Sequence, residues 1–218
     1  MNAQIATILK DKLASIDNGL DAQSNPLPPG LKFIERLAGL VQIGEKAQPT
    51  QIEGAFAVSK FPISLDSDYE ECINKGCYKD LVPNSKQKGI LYFESLGALP
   101  LSQSHGSFKY AVKLRLVCWI NNKLIQGSNC KSISHQLITK IRTTLENGAF
   151  NSGAFTRITV RATNILDNDI KLFANYTYPS ESVKFLMHPY EAFGIDFTVE
   201  FSISNDCLDE LVLSPEIC

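Results

Sequence analysis

Residues 108–120 alternate without a break: Phe108, Tyr110, Val112, Leu114, Leu116, Cys118 and Ile120 fall on one side, and Lys109, Lys113 and Arg115 on the other. A period of two belongs to the β-strand. The stretch therefore predicts a strand of roughly 40 Å with one face packed and one face mostly wet. Trp119 is the exception on the wet face. Residues 195–203 repeat the pattern, with Ile195, Phe197, Val199, Phe201 and Ile203 inward and Asp196, Thr198, Glu200 and Ser202 outward. A slip of one residue would turn either apolar set to water, so the register of both strands is fixed.

Around these strands the periodicity changes. Ile5, Ile8, Leu9, Leu13 and Ile16 line one face of a helix, with Asn2 placed to cap it and Gly19 to end it. The prolines of 25–30 break the chain. Residues 33–41 form a short apolar run that fits strand or helix equally. Residues 43–88 are the least regular part, with a candidate strand at 54–58 and turns at 66–68 and 82–85. Beyond them come a strand at 90–95, a Ser- and Gly-containing loop at 97–107 and the long strand. A helix at 134–147 follows, with Leu137, Ile138, Ile141 and Leu145 as its stripe. Residues 157–162 and 170–178 read as further alternating strands. Strands grouped in this way predict an α+β class: an antiparallel β-sheet with two main helices packed on one face, plus an irregular insertion. The 218 residues fit one domain, 1–218, with 43–88 as an insertion or excursion from its core.

The net charge is −2, with 21 basic and 23 acidic residues mixed along the chain. No basic stripe of the kind that neutralises phosphates is visible in the linear order, so no nucleic-acid specificity is expected. Lys10, Asp11 and Lys12 interrupt the N-terminal apolar pattern, which does not fit a signal peptide. No apolar run approaches the length of a membrane span. A cytoplasmic setting without membrane contact is the expectation, and the cysteines at 72, 77, 118, 130, 207 and 218 are then expected as free thiols.

The phosphate-binding, dinucleotide, zinc-protease and nucleophile-elbow motifs are all absent from the sequence. Cys72 and Cys77, even with Cys130 and His135, match no structural-zinc spacing. His105 follows Ser104 directly, and adjacent residues seldom orient as a nucleophile–base pair. His135 and His188 read as surface residues, and the acidic pairs, such as Asp66 with Asp68, as solvated turns. The reading is of a protein that is not an enzyme, with no catalytic, cofactor or metal residues. Its rival is an enzyme site gathered near Cys72, Cys77 and His105. What remains is surface: unpaired sheet edges, the loop containing Ser104, His105 and Gly106, and Trp119, which would anchor an interface if exposed.

The segment Tyr110-Ala-Val-Lys-Leu-Arg-Leu-Val-Cys-Trp119-Ile-Asn-Asn, with the helix at 133–145, resembles phage tail terminator and tail-completion proteins. In those, a long strand ending near a Trp feeds a helix lying across the sheet. Pro189-Tyr190-Glu191-Ala192-Phe193-Gly194-Ile195-Asp196-Phe197-Thr198-Val199 is similar to their closing strand. The resemblance covers about the first twenty residues and 108–204; residues 43–88 depart from it. It implies a cyclic homo-oligomer, commonly a hexamer, that caps a tail tube and meets a head-connector protein within a virion or phage-like tail. Another virion or injection-apparatus subunit, such as a connector or baseplate component, is the nearest alternative. A ligand- or peptide-binding sheet face is a further one.

Overall fold

The long alternating stretch is a strand, and every other element is placed by it. The computed structural model describes residues 1–14, 34–49, 56–67, 69–104, 107–127, 131–150, 155–167, 170–177 and 184–204. In chain order the elements are α1 (Asn2–Ala14), β1 (Arg36–Pro49), β2 (Phe56–Ser64), α2 (Tyr69–Lys75), β3 (Gly89–Ser104), β4 (Ser107–Asn121), α3 (Asn122–Gln126), α4 (Ser134–Glu146), β5 (Phe155–Asp167) and β6 (Tyr190–Ser204). The six strands form one sheet in the order β2-β1-β3-β4-β6-β5. Helices and a largely antiparallel sheet make this an α+β arrangement. The helix stop expected at Gly19, the break at 25–30, and Cys130, Cys207 and Cys218 lie outside the described residues.

The sheet is mixed, which corrects the expectation of an antiparallel one. β1 joins β3 in parallel through Arg36–Ile90, Leu37–Leu91 and Leu40–Phe93, while the other neighbours are antiparallel. After β2 returns along β1, residues 65–88 carry the chain back to the starting end, so β3 enters in the same direction as β1. No local pattern in a sequence reports such a crossover. Residues 43–88, read above as an excursion, thus supply the outer half of β1 and all of β2 to the main sheet. Their strands are hard to see because β2 carries Pro62 and Lys60, residues a sheet tolerates at its border.

Register divides the side chains between two faces. On one, Leu91, Phe93, Leu114, Leu116, Cys118, Phe193, Ile195 and Phe197 share a buried cluster with Ile5, Leu9 and Leu13 of α1 and Leu137, Ile138, Ile141 and Leu145 of α4. On the other, Ile90, Tyr92, Val117, Trp119 and Ala192 join Leu172, Phe173 and Tyr176 in a second cluster. A third, smaller one joins Phe61, Ile63, Cys72 and Val82. The strand-to-helix corner after β4 is held by the Asn121 side chain, which accepts from Leu124 N–H at 3.2 Å.

Residues 170–177 are not the strand their alternation suggests. A 3-10 turn at Ile170–Phe173 leads to turns at Ala174 and Tyr176, and Thr177 N–H reaches the Lys60 carbonyl of β2 at 2.9 Å. The segment crosses the second face as a strap. Its apolar residues at 172, 173 and 176 follow turn spacing, and it fills the space over β6. Gly194 permits that approach, because a Cβ there would stand 2.5 Å from Leu172 Cδ2. No helix among the described residues is long and apolar enough to cross a membrane.

Candidate interaction surface

Two hairpins outrun the part of the sheet they share. The last β1–β3 pair is Leu40 with Phe93. Beyond it β1 continues to Pro49 with β2 as its partner, and β3 continues to Ser104 with β4 as its partner. Among the described residues no strand fills the gap between them, so a fork opens with one strand edge on each prong. Large apolar side chains remain in water there: Ile43 at 48%, Val58 at 52%, Leu96 at 43% and Leu99 at 51% exposure. A Lys60–Glu45 ion pair at 3.6 Å ties the β1–β2 prong across its width. Gly97, at φ 117, and Pro100 lie beside irregularities in the β3–β4 register. Both residues punctuate the sequence as a loop would. An edge strand accommodates them, since proline has no N–H to offer an outer neighbour. Residues 97–104 are therefore strand and not the expected loop.

The other border is closed to such pairing. β5 is interrupted twice, between Thr156 and Thr159 and between Ala162 and Asn164. Arg157 there takes a φ of 53, a left-handed value uncommon outside glycine. The Glu146 carboxylate from α4 accepts the Ala162 N–H at 2.9 Å, occupying a donor that a neighbouring strand would need.

At the base of the fork, on the second face, the register lines up Glu94, Arg115, Asp196 and Asn164. Arg115 holds Asp196 with two bonds, of 2.6 and 3.1 Å. Glu94 is buried and accepts a 2.6 Å hydrogen bond from the Tyr176 hydroxyl. Burial raises the Glu94 carboxyl above its ordinary value, against the smaller lowering effects of Tyr176 and Arg115. Burial likewise pushes the Cys118 thiol up, which leaves it a core residue.

The residues singled out in the sequence are dispersed. Ser104 closes the β3–β4 ladder opposite Ser107, and His105 and Gly106 lie outside the described residues. Trp119 is not an exposed anchor: only 1% of it meets solvent. Its indole N–H donates to the Phe185 carbonyl at 2.6 Å, and its ring stacks on Tyr190 with centroids 5.6 Å apart. Phe185 and Tyr190, from residues 184–190, pack over it.

Cys72 and Cys77 are joined in a disulfide, which corrects the expectation of free thiols. The short helix between them brings their Cα atoms to 4.9 Å. Neither sulfur is then the thiolate that attacks or binds metal. They border a hollow of about 260 Å³ with Arg36, Ser64, Asp66 and Asp80. The sequence reading missed Leu96 and Leu99. The signal was the length of β4, because a strand of that length calls for partners equally long. No protein-family model matches the sequence, and no curated protein matches it.

Proposed function

We propose that this chain is a structural subunit that works by docking on other protein chains, in the manner of a phage tail terminator. The observation that carries the reading is the fork: two strand edges and four exposed apolar side chains, Ile43, Val58, Leu96 and Leu99, on prongs that project beyond the common sheet. An open edge is a template for an added strand, and apolar residues beside it supply the burial that such pairing needs. The β3 edge from Glu94 to Ser104 is roughly 35 Å long, with pairing available in segments on either side of Pro100, which has no N–H to give.

The contrast with β5 adds direction. The fork between β1 and β3 is open while the β5 border is blocked, so in this reading the contact is heterologous, joining two different surfaces, and such contacts close into rings when their rotation closes. In this reading α1 and α4 form a layer across one sheet face, as the resemblance implies, and leave the fork clear. The partners are further copies of the chain in a ring, a hexamer by the resemblance, together with tail-tube and head-connector proteins.

Light scattering coupled to size exclusion, with and without tail-tube protein, tests this. A cyclic oligomer is expected, and Leu96→Asp with Leu99→Asp is expected to abolish it while leaving the melting temperature unchanged. A protein that stays monomeric in both settings would sink the proposal.

A further inference from the structure

We propose that the distal half of the second sheet face, on β4, β6 and β5, binds the phosphate backbone of duplex nucleic acid without sequence preference. This goes beyond the assembly reading and does not depend on it.

The strand register assembles the surface. Lys109 lies in line with Ser202 and Thr156, and Lys113 with Thr198 and Arg161; between them comes the row of Ala111, Glu200 and Thr159. Arg157, in the irregularity between Thr156 and Thr159, borders a hollow of about 210 Å³ with Lys109, Thr159, Glu200 and Ser202, and with Tyr110 and Phe201, which alternate to the opposite face and stack on each other there. Lys109, Lys113, Arg157 and Arg161 are exposed, and none forms an ion pair with a described residue. Glu200 is the single acid among them. One row below, Arg115 is already matched by Asp196, and Glu94 is buried, so the cation surplus begins at Lys113. In a chain of net charge −2 this is a segregated patch.

Its dimensions follow from the lattice of a sheet. Lys109 and Lys113 stand about 13 Å apart along β4, and β4 and β5, separated by β6, about 10 Å apart. Lys109, Lys113 and Arg161 thus mark three corners of a patch a duplex backbone can cross, with Arg157 beside the fourth.

The composition selects phosphate over an acidic protein. Protein partners want apolar or aromatic anchors at the centre of a contact. The three rows on β4, β6 and β5 hold none larger than Ala111; Leu99 flanks them on β3, and Tyr110 and Phe201 belong to the opposite face by alternation. What they offer is long cations and hydroxyls, the groups that contact phosphates. With no aromatic ring in these rows there is no platform for unstacked bases, which favours a duplex over a single strand.

The test is fluorescence anisotropy with a labelled duplex of arbitrary sequence. Four phosphate contacts predict binding at about 50 mM salt that falls with a log–log salt slope of about −3.6. Lys113→Gln with Arg161→Gln should weaken binding about 100-fold and halve the slope, at about tenfold for each cation under these conditions. Glu200→Gln should tighten it. Lys123→Gln with Lys131→Gln, exposed lysines away from this face, should leave it unchanged. Absence of binding by the folded wild-type chain at about 50 mM salt would overturn the proposal. So would an equal loss in the control pair, or tighter binding to polyglutamate than to the duplex.

Discussion

Replacing Trp119 with phenylalanine keeps an aromatic ring on β4 while removing the indole N–H that satisfies the Phe185 carbonyl. Leaving a buried carbonyl without its donor costs about 1–3 kcal/mol. Phenylalanine also lacks two ring carbons of the indole, and at about 0.8 kcal/mol for each buried carbon this adds about 1.6 kcal/mol. The sum is about 2.6–4.6 kcal/mol. A chain of 218 residues unfolds with an entropy of about 0.46 kcal/mol/K, so the melting temperature should fall by about 6–10 °C. Differential scanning calorimetry measures this directly. Trp119 is the single tryptophan of the chain, so the wild-type protein carries its own check: blue-shifted emission with poor acrylamide quenching. A loss below about 1 kcal/mol, or emission typical of an exposed indole, would refute the burial argument. Trp119 would then return as an interface anchor.

Two further outcomes follow from the same geometry. Burial holds the Glu94 carboxyl above its ordinary value, so the folded state binds that proton more tightly than the unfolded chain does. The stability this provides is fully present below the unfolded value and is lost as pH rises through the raised folded value. Glu94→Gln should therefore show a smaller decline in urea midpoint from acid to neutral pH than the wild type. A variant less stable than wild type at neutral pH would mean that Arg115 outweighs burial. Cys72→Ser with Cys77→Ser should cost about 2 kcal/mol by the chain-entropy relation, given a separation of only 5 residues. Alkylation under non-reducing conditions should leave both sulfurs unlabelled in the wild type; labelling of both would contradict the bridge.

How much was legible divides along physical lines. Strict alternation at 108–120 and 195–203 specified two strands, and β4 and β6 indeed pair with each other along their whole length. The stripe of Leu137, Ile138, Ile141 and Leu145 specified α4, whose buried residues are those four together with Ser134. In both cases the signal is local, because a strand or helix repeats within the span of its own residues. Where alternation lacked a strand partner it misled: residues 170–177 became a strap because the space over Gly194 needed filling. Gly97 and Pro100 suggested a loop, yet pairing with β4 drew them into β3.

By itself the sequence determined which stretches form the central strands and helices, and which of their sides are apolar. Tertiary structure alone decided the parallel join of β1 to β3, the fork beyond Leu40 and Phe93, the burial of Trp119, and the gathering of Lys109, Lys113, Arg157 and Arg161 on one face. The physical reason is sequence distance. Residues about 50 or more positions apart are made neighbours by hydrogen-bond register and by a crossover, and neither leaves a period in the chain for a local pattern to carry.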